Sequence, residues 1–335
     1  MSSDMRGSRW RGLVGLGLCA VLVLAAGCSG GKLAQQKQQN SGGGGGHKYT
    51  FALISHGSPG DSFWATVDNG AKAAAKQYGV TVNYQASGGD PNKQAQLVNN
   101  AVAKHVDGLI VSLANPGALK GPLQQAENKG IPVTTINSGS DVYQSVGALT
   151  HVGQDETKAG EAAGRQLSSM GLKKVVCVIH EQNNVGLQDR CNGTKKTFSG
   201  QLVDMQVTGT SDVNSTVSQL KSKLSADSSI DGVLTLNPDI AQAAEQSIAG
   251  SNSKAKLATF DLSTDVLKGV DDGKVAFAIS QQPYLQGYLP VVSLYLYKTT
   301  QNIPGGGAPV YSGPTVVTKA NAKAVLQSVQ NGTYG

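Results

Sequence analysis

Short apolar segments rich in β-branched residues alternate along this chain with longer segments of helical spacing. The first four apolar segments are "YTFALIS", "VTVNYQA", "DGLIVSL" and "IPVTTIN". Between the first two, Phe63, Val67, Ala71 and Ala74 recur every three or four residues, as on one face of a helix. Strand, helix and strand at these lengths predict parallel βαβ units with right-handed crossovers.

The alternation restarts after Asn137. The later strand candidates are "ALTHVG", "KKVVCVIH", "LVDMQVT", "DGVLTLN", "AKLATFD" and "KVAFAIS". The two halves of the chain share a short sequence similarity. Both "DGLIVSLANP" and "DGVLTLNPDI" consist of Asp-Gly, an apolar run and then Asn-Pro. The 335 residues leave room for about two domains of ~150 residues each. We therefore predict an α/β protein of two similar doubly wound parallel-sheet lobes.

The first 27 residues have the features of an export signal. Arg6, Arg9 and Arg11 precede the apolar run "GLVGLGLCAVLVLAAG", which at ~16 residues is shorter than a membrane span of ~20. The ending "LAAGC" resembles a bacterial lipobox. That likeness implies acylation of Cys28 and anchoring at the outer face of the cell membrane. A cleaved signal without a lipid is the alternative.

Residues 28–47 are rich in Gly, Gln and Ser and show no apolar period. Such a segment cannot offset its ordering entropy, so we predict a flexible tether. The stretch "GGGGGHK" superficially suggests a P-loop. It lacks the GK[ST] of that motif and precedes a strand instead of following one, so a phosphate role is not expected.

Composition describes the body that follows. Hydrophobic residues make up 39% of the chain and charged residues 15%, which suits a globular protein with a buried core. The formal net charge is +6, but Lys and Arg form no block and no basic patch is interleaved with aromatic residues. Nucleic acid is therefore not an expected partner.

Four cysteines are present. Cys19 leaves with the signal, and Cys28 is the expected lipid site, so Cys177 and Cys191 remain in the body. Two cysteines in an exported domain can form a disulfide, which the compartment favours over two buried free thiols. Two cysteines alone make a poor metal site, so neither a metal nor another cofactor is expected.

Polar residues follow nearly every predicted strand. In an open parallel sheet, ligands bind beyond the carboxyl ends of the strands. The segments at those ends are "SHGSPGD" (55–61), "NSGSD" (137–141), "HEQNN" (180–184), "NPD" (237–239), "DLS" (261–263) and "SQQP" (280–283). Amides and carboxylates match the donors and acceptors of sugar hydroxyls, and the adjacent Phe63 and Trp64 can stack on a sugar ring.

These motifs, in this order, resemble the ribose/galactose type of periplasmic sugar-binding proteins, which serve ABC importers. The resemblance covers about residues 48–318 and implies the periplasmic binding protein type I fold, in which a three-stranded hinge joins two lobes. It places the hinge crossings near 150–153, 262–264 and 281–283. The implied lobes are an N-terminal one of 48–150 plus about 283–310 and a C-terminal one of 151–282 plus about 311–335.

The resemblance also implies ligand positions. "ALISHGSPGDSFW" matches the family's polar turn with paired aromatics, and "LQDRCNG" matches its Arg-x-x-Gly helix start. "TFDLS" matches its aromatic-Asp element, and "AISQQPYLQG" its glutamine near the hinge. The implied ligand-binding residues are His56, Asp61, Phe63, Trp64, Asn137, Arg190, Asn237, Asp261 and Gln281.

The chain departs from the family in "GIPVTTINSGSD". The corresponding family segment ends in an Asp-Arg pair that grips sugar hydroxyls, and this chain has Asn137 and Ser138 there. One charge of each sign is lost, which favours a neutral polyol, a cyclitol or a different sugar over the family's usual pentose or hexose. His180 and Glu181 also lie at a strand end, and we expect them to line the cleft in an unknown role.

The predicted function is that of an extracytoplasmic solute-binding lipoprotein. A monomeric body would capture a sugar or polyol between its lobes and deliver it to an ABC permease complex in the membrane. A sensory subunit that presents the ligand to a membrane receptor is the alternative. An enzyme is not expected, because the body from residue 48 onward contains neither a G-x-S-x-G nor an HExxH motif and nothing positions Asp61 and Asp261 as acid and base.

Overall fold

The computed structural model of the protein describes residues 48–209 and 212–335. The predicted signal peptide, Cys28 and the predicted tether up to residue 47 lie outside the described residues. None of the helices in the described ranges combines the length and apolar character that a membrane span requires.

The first lobe is built on a sheet of six parallel strands. These are β1 (Thr50–Ser55), β2 (Thr81–Ala86), β3 (Gly108–Ser112), β4 (Val133–Asn137), β5 (Thr150–Gln154) and β11 (Val310–Gly313). Their order in the sheet is β11–β5–β4–β3–β1–β2. Its helices are α1 (Ser62–Tyr78), α2 (Pro91–Ala103), α3 (Pro116–Asn128) and α9 (Pro283–Thr300), with short 3-10 helices at Tyr143–Val146 and Pro304–Gly307.

The second lobe repeats this plan. Its strands are β6 (Lys174–Ile179), β7 (Gln201–Gln206), β8 (Gly232–Thr235), β9 (Lys256–Phe260), β10 (Val275–Ser280) and β12 (Thr315–Val317). They are ordered β12–β10–β9–β8–β6–β7, and all neighbours are parallel except β10 and β12. Its helices are α4 (Glu156–Ser169), α5 (Val185–Thr197), α6 (Val213–Ala226), α7 (Pro238–Gly250), α8 (Thr264–Asp272) and α10 (Ala322–Gln330).

The chain passes between the lobes at three places, after β5, after β10 and between β11 and β12. The crossing predicted near 262–264 is wrong, because β9 and the helix α8 that follows it both belong to the second lobe. The first sheet keeps β5 to Gln154 and β11 to Gly313, a few residues beyond the predicted boundaries at 150 and 310.

The antiparallel strand β12 follows from the third crossing. Only Pro314 separates β11 from β12, so the chain passes directly from one sheet into the other. The strand leaves the first sheet at its carboxyl edge and enters the second sheet from the carboxyl edge of β10. It must therefore run against β10, which is why one strand departs from the predicted all-parallel sheets.

Glycines set the closest helix packing of the first lobe, between α1 and α9. A Cβ atom on Gly70 would lie 2.0 Å from the carbonyl oxygen of Tyr284, and one on Gly287 would lie 1.8 Å from that of Val67. No real side chain fits at these distances, so the close crossing requires glycine at both positions. This packing holds α1, whose first residues follow the polar turn after β1.

A disulfide ties helix α5 to the second sheet. Cys177 lies in β6 and Cys191 in α5, both are fully buried, and their Sγ atoms are 2.02 Å apart. The bond closes a loop over a sequence separation of 14 residues, which restricts the unfolded chain more than the folded one. It also holds α5 against the strand whose end carries His180.

Candidate functional site

The turn after β1 presents a carboxylate and two aromatic rings. Asp61 is the N-cap of α1, and its Oδ1 accepts hydrogen bonds from the backbone N–H of Phe63 at 2.9 Å and of Trp64 at 3.4 Å. This is the usual role of Asp at a helix start. Burial, with smaller contributions from Asp239 and Glu181, raises the pKa of Asp61 to about 6.

Phe63 and Trp64 belong to the packed core of the first lobe and also face the site. The rings of Phe63 and Trp64 meet edge to face with centroids 5.2 Å apart, and Trp64 meets the His56 ring in the same way at 5.0 Å. Phe63 is 7% and Trp64 4% exposed, and both belong to the core of the first lobe. Their substitution therefore affects packing as well as any ligand contact.

Ser112 holds both the backbone and the ring of His56 in place. The Ser112 hydroxyl contacts both the backbone N–H and the Nδ1 of His56 at 2.8 Å, and Gln94 donates to Ser112 in turn. The opposite ring nitrogen, Nε2, faces the other lobe, 3.2 Å from Nδ2 of Asn184 and 3.5 Å from the carboxylate of Glu181. His56 thus links the two walls of the cleft.

Asn137 and Asp261 occupy equivalent places in the two lobes, directly at the ends of β4 and β9. Both have left-handed backbone, with φ of 66° and 65°. Gln281, at the second crossing, joins them: its Nε2 donates to Asp261 at 2.8 Å, and its Oε1 accepts from Nδ2 of Asn137 at 3.1 Å. A buried chain of amide and carboxylate groups therefore spans the cleft beside the hinge.

Arg190 is bound to a carboxylate that the sequence analysis did not identify. Its Nε donates to Oε2 of Glu156 at 2.6 Å and its Nη2 to Oε1 at 3.0 Å, while Nη1 lies 3.9 Å from Asp261. The guanidinium also lies over the Phe260 ring, 4.9 Å from its centroid. Arg190 is 2% and Glu156 3% exposed, so the pair is desolvated and geometrically fixed.

Glycines bring these two residues together. Glu156 opens α4 and Arg190 lies on α5, and the helices cross where a Cβ on Gly160 would be 2.1 Å from the carbonyl oxygen of Arg190. On the partner helix, a Cβ on Gly193 would be 2.1 Å from the carbonyl oxygen of Thr157. The crossing repeats the glycine packing of the first lobe and sets the position of the guanidinium.

Asn237 is the N-cap of α7. Its Oδ1 accepts from the backbone N–H of Asp239 at 2.7 Å, and the residue is 5% exposed. Asn237 therefore caps this helix and also lines the cavity described next.

One cavity brings all nine predicted residues together. Its volume is about 30 Å³, room for about two water molecules in this closed arrangement of the lobes. It is lined by His56, Asp61, Phe63, Trp64, Asn137, Arg190, Asn237, Asp261 and Gln281, and by His180, Glu181, Asn184, Leu187 and Leu236. Leu187 and Leu236 carry no motif that would have singled them out, whereas Asn184 ends the polar segment "HEQNN" after β6.

Burial controls the ionisation of this cavity. It raises the pKa of Asp261 to about 7, against the opposing effects of Arg190 and the Gln281 hydrogen bond. It lowers the pKa of His180 to about 4, which keeps that imidazole neutral at pH 7. Burial also acts to raise the pKa of Glu181, but the neighbouring His56 and His180 and two hydrogen bonds outweigh it and hold the pKa well below its usual range.

Hydrogen bonds across the cleft hold the lobes together. Ser138 Oγ of the first lobe donates to Oδ1 of Asn184 at 2.9 Å. The backbone N–H of Val185 donates to the carbonyl oxygen of Ala114 at 3.1 Å. With the contacts of His56, these bonds define a closed conformation, which a ligand can enter only when the lobes separate.

Comparisons with known proteins identify the family. Residues 51–301 match the model of the periplasmic binding protein domain, and this chain belongs to that family. The match confirms the predicted kinship with sugar-type periplasmic binding proteins and the predicted type I fold. The family consists of substrate-binding proteins that act outside the cytoplasm. Membership of it therefore supports the predicted export of this chain.

A solved structure matches almost the whole body. The carbohydrate transporter of Acidothermus cellulolyticus 11B, crystallised in complex with myo-inositol, is 43% identical with a TM-score of 0.83. The match covers 86% of this chain and 100% of that one.

Curated relatives are more distant. The xylose/arabinose-binding protein XylF of Sulfolobus acidocaldarius is 26% identical over 248 residues, which are 66% of this chain but only 61% of that protein. The ribose import binding protein RbsB of Haemophilus influenzae is 23% identical over 235 residues, 69% of this chain and 80% of its own length.

Proposed function

We propose that this protein binds a neutral cyclitol, with myo-inositol as the first candidate, and delivers it to an ABC importer. The observation that carries the proposal is the set of groups lining the inner cavity. Four amides and three carboxylates line it, those of Asn137, Asn184, Asn237, Gln281, Asp61, Glu181 and Asp261. Amides donate and accept, and carboxylates accept, so together they match a ring on which every carbon carries a hydroxyl.

The charge of the cavity favours an uncharged ligand. Arg190 is its one arginine, and Glu156 already neutralises that guanidinium through two hydrogen bonds. By the resemblance drawn from the sequence, Ser138 takes the place of the arginine in the family's Asp-Arg pair. An anionic ligand, such as a phosphate or a carboxylate, would therefore be repelled by the carboxylates of the cavity and would find no unpaired arginine there. The hydroxyl groups of a neutral ligand, in contrast, can form hydrogen bonds with the amides and carboxylates around the cavity.

The Acidothermus protein supports the choice of cyclitol, because it is 43% identical and was crystallised with myo-inositol. The curated relatives named for ribose and for xylose or arabinose support a polyhydroxylated ligand more generally. The name of the Haemophilus influenzae relative, a ribose import binding protein, favours import over the sensory alternative.

We propose binding without chemical change. Both carboxylates that an acid–base mechanism would need are held by fixed donors: Asp61 by the backbone N–H groups of α1, and Asp261 by Gln281. Such engagement suits recognition of hydroxyls. Ligand recovered from the saturated protein by chromatography should be unaltered.

The proposed site of action is the outer face of the membrane. The lipobox-like ending before Cys28 supports an acyl anchor, and the segment up to residue 47 would tether a monomeric body. Mass spectrometry of the protein from the membrane fraction should show an acylated N-terminal Cys28. The Cys28→Ala chain should be found outside the membrane fraction.

Isothermal titration tests the ligand. We expect one site per chain for myo-inositol, and weaker binding of D-ribose, D-xylose and D-glucose. Asp261→Ala should weaken binding by about 10–100-fold, the loss of a charge-assisted hydrogen bond. Asp265→Ala, an exposed aspartate on α8, is the matched control. Absent binding of myo-inositol, together with binding of a pentose or hexose, would contradict the cyclitol proposal.

A further inference from the structure

A larger cavity adjoins the inner one. Its volume is about 540 Å³, within the range of ligand pockets. Four residues line both cavities: His56, His180, Glu181 and Asn184. The outer cavity, which we name the outer chamber, is further lined by residues at the carboxyl ends of β2, β3, β6 and β7, among them Gly88, Gly89, Gln182, Asn183 and Gln206.

Sheet topology explains why the two cavities lie next to each other. The inner cavity uses the carboxyl ends of β4, β8, β9 and β10, nearer the crossings. The outer chamber uses those of β2 and β3 in the first lobe and of β7 in the second, toward the edges at β2 and β7. The ends of β1 and β6 contribute to both. The cleft therefore continues past the inner cavity, away from the hinge.

A small group of side chains separates the two cavities. Nδ2 of Asn184 donates to Glu181 at 2.7 Å and lies 3.2 Å from Nε2 of His56. The same His56 nitrogen is 3.5 Å from the Glu181 carboxylate. The partition is made only of hydrogen-bonding groups, so hydroxyls of a ligand that passes between them could replace each contact.

The walls of the outer chamber are polar but carry little charge. Glu181 is the one carboxylate among its lining residues, which include neither Lys nor Arg. The exposed side chains of Gln182, Asn183 and Gln206 make no hydrogen bond within the described residues. Nδ1 of the buried His180, on the shared wall, also has no partner there. These groups suit a neutral hydroxylated substituent.

Two glycines line the chamber on the first lobe. Gly88 and Gly89 have φ of 72° and 79°, a left-handed conformation that disfavours side chains. A Cβ on either residue would meet nothing within 4 Å, so the turn after β2 leaves space beside the chamber.

We infer that the outer chamber is a second subsite, which takes a neutral glycosyl group attached to the ring in the inner cavity. The ligand class is then a glycoside of a cyclitol. The inference rests on the function proposed for the inner cavity and extends it. Because neither Lys nor Arg is among the lining residues, a phosphate ester is not the preferred substituent.

Titration calorimetry with three probes tests the subsite: myo-inositol, its α-galactoside and myo-inositol 1-phosphate. We expect the galactoside to bind at least 10-fold more tightly than myo-inositol, and the phosphate ester no more tightly. Gln206→Trp should fill the chamber from the exposed end of β7, weakening galactoside binding at least 10-fold and changing myo-inositol affinity less than 2-fold. Gln201→Trp, an exposed glutamine at the other end of β7, should change neither.

The possible results distinguish a failure of the subsite inference from a failure of the proposed function on which it rests. Tight binding of myo-inositol with weak or absent binding of the galactoside overturns the subsite and leaves the proposed function in place. Equal effects of Gln206→Trp on both ligands also overturn it. Binding of the galactoside alone, abolished by Gln206→Trp, supports the subsite. Binding of neither probe overturns the proposed function and the subsite together.

Discussion

The guanidinium of Arg190 and the carboxylate of Glu156 form a buried ion pair with two hydrogen bonds, of 2.6 and 3.0 Å. Helices α4 and α5 supply one partner each, and glycines at their crossing allow the approach. The pair fixes the one arginine of the inner cavity and cancels most of its charge. It therefore shapes which ligands that cavity can accept.

Removing the carboxylate should destabilise the protein strongly. Glu156→Gln leaves the Arg190 charge buried without its partner, which costs about 3–5 kcal/mol of unfolding free energy. Urea unfolding measures it, and Glu161→Gln, on the same helix but less buried, is the control. A loss below about 1 kcal/mol would show that Asp261, at 3.9 Å, can replace Glu156.

Asp261 should make stability depend on pH. Its pKa rises from 3.8 to about 7 on folding, because burial disfavours the charged form. Between these values the folded state keeps a proton that the unfolded chain has released. The free energy of unfolding therefore falls as pH rises through this window.

Asp261→Asn removes that contribution. From pH 5 to pH 8, the stability of the variant relative to the wild type should increase by roughly 2–3 kcal/mol, a shift of about two pKa units. Urea unfolding at both pH values measures the change, and Asp265→Asn is the exposed control. A pH-independent difference between variant and wild type would contradict the assignment.

Trp64 should contribute to both stability and binding. It is 4% exposed, so Trp64→Ala would cost about 3–5 kcal/mol and obscure its role in the site. Trp64→Phe keeps a ring, and we expect the variant to fold and to bind myo-inositol about 3–30-fold more weakly, because ring contact area is lost. Phe198→Leu, a buried aromatic of the second lobe outside the cavity, should lower stability without changing affinity.

The Cys177–Cys191 disulfide should stabilise the protein and hold Arg190 in place. A closed loop of this length contributes about 3 kcal/mol. A reductant should therefore lower the melting temperature of the wild type, and the ligand affinity should fall because α5 loses its anchor on β6. The Cys177→Ala, Cys191→Ala double variant is the control and should not respond to reductant. An equal response in both would show that the disulfide is not the cause.

Asn184 should hold the cleft closed. It accepts from Ser138 and contacts His56 across the lobes. Asn184→Ala should shift the unliganded protein to more open conformations, seen as a larger radius of gyration by small-angle X-ray scattering. Asn183→Ala, an exposed neighbour, should leave the radius unchanged.

The candidate site could largely be predicted because its residues lie at strand ends. Parallel strands bring their carboxyl ends to one edge, so segments distant in sequence, such as those at Asp61 and Asn237, were expected to converge. Glu156 was missed, because a carboxylate in the first turn of a helix usually lies in solvent. Only the close crossing of α4 and α5 turns it toward Arg190.

The sequence by itself determined the alternation of strand and helix, the division into two lobes and the residue types at the ends of the strands. These depend on local spacing and on the fixed handedness of βαβ units, which act over a few tens of residues. The tertiary structure decided the antiparallel β12, the pairing of Arg190 and the outer chamber. Each depends on how surfaces distant along the chain pack together, and no local pattern encodes that packing.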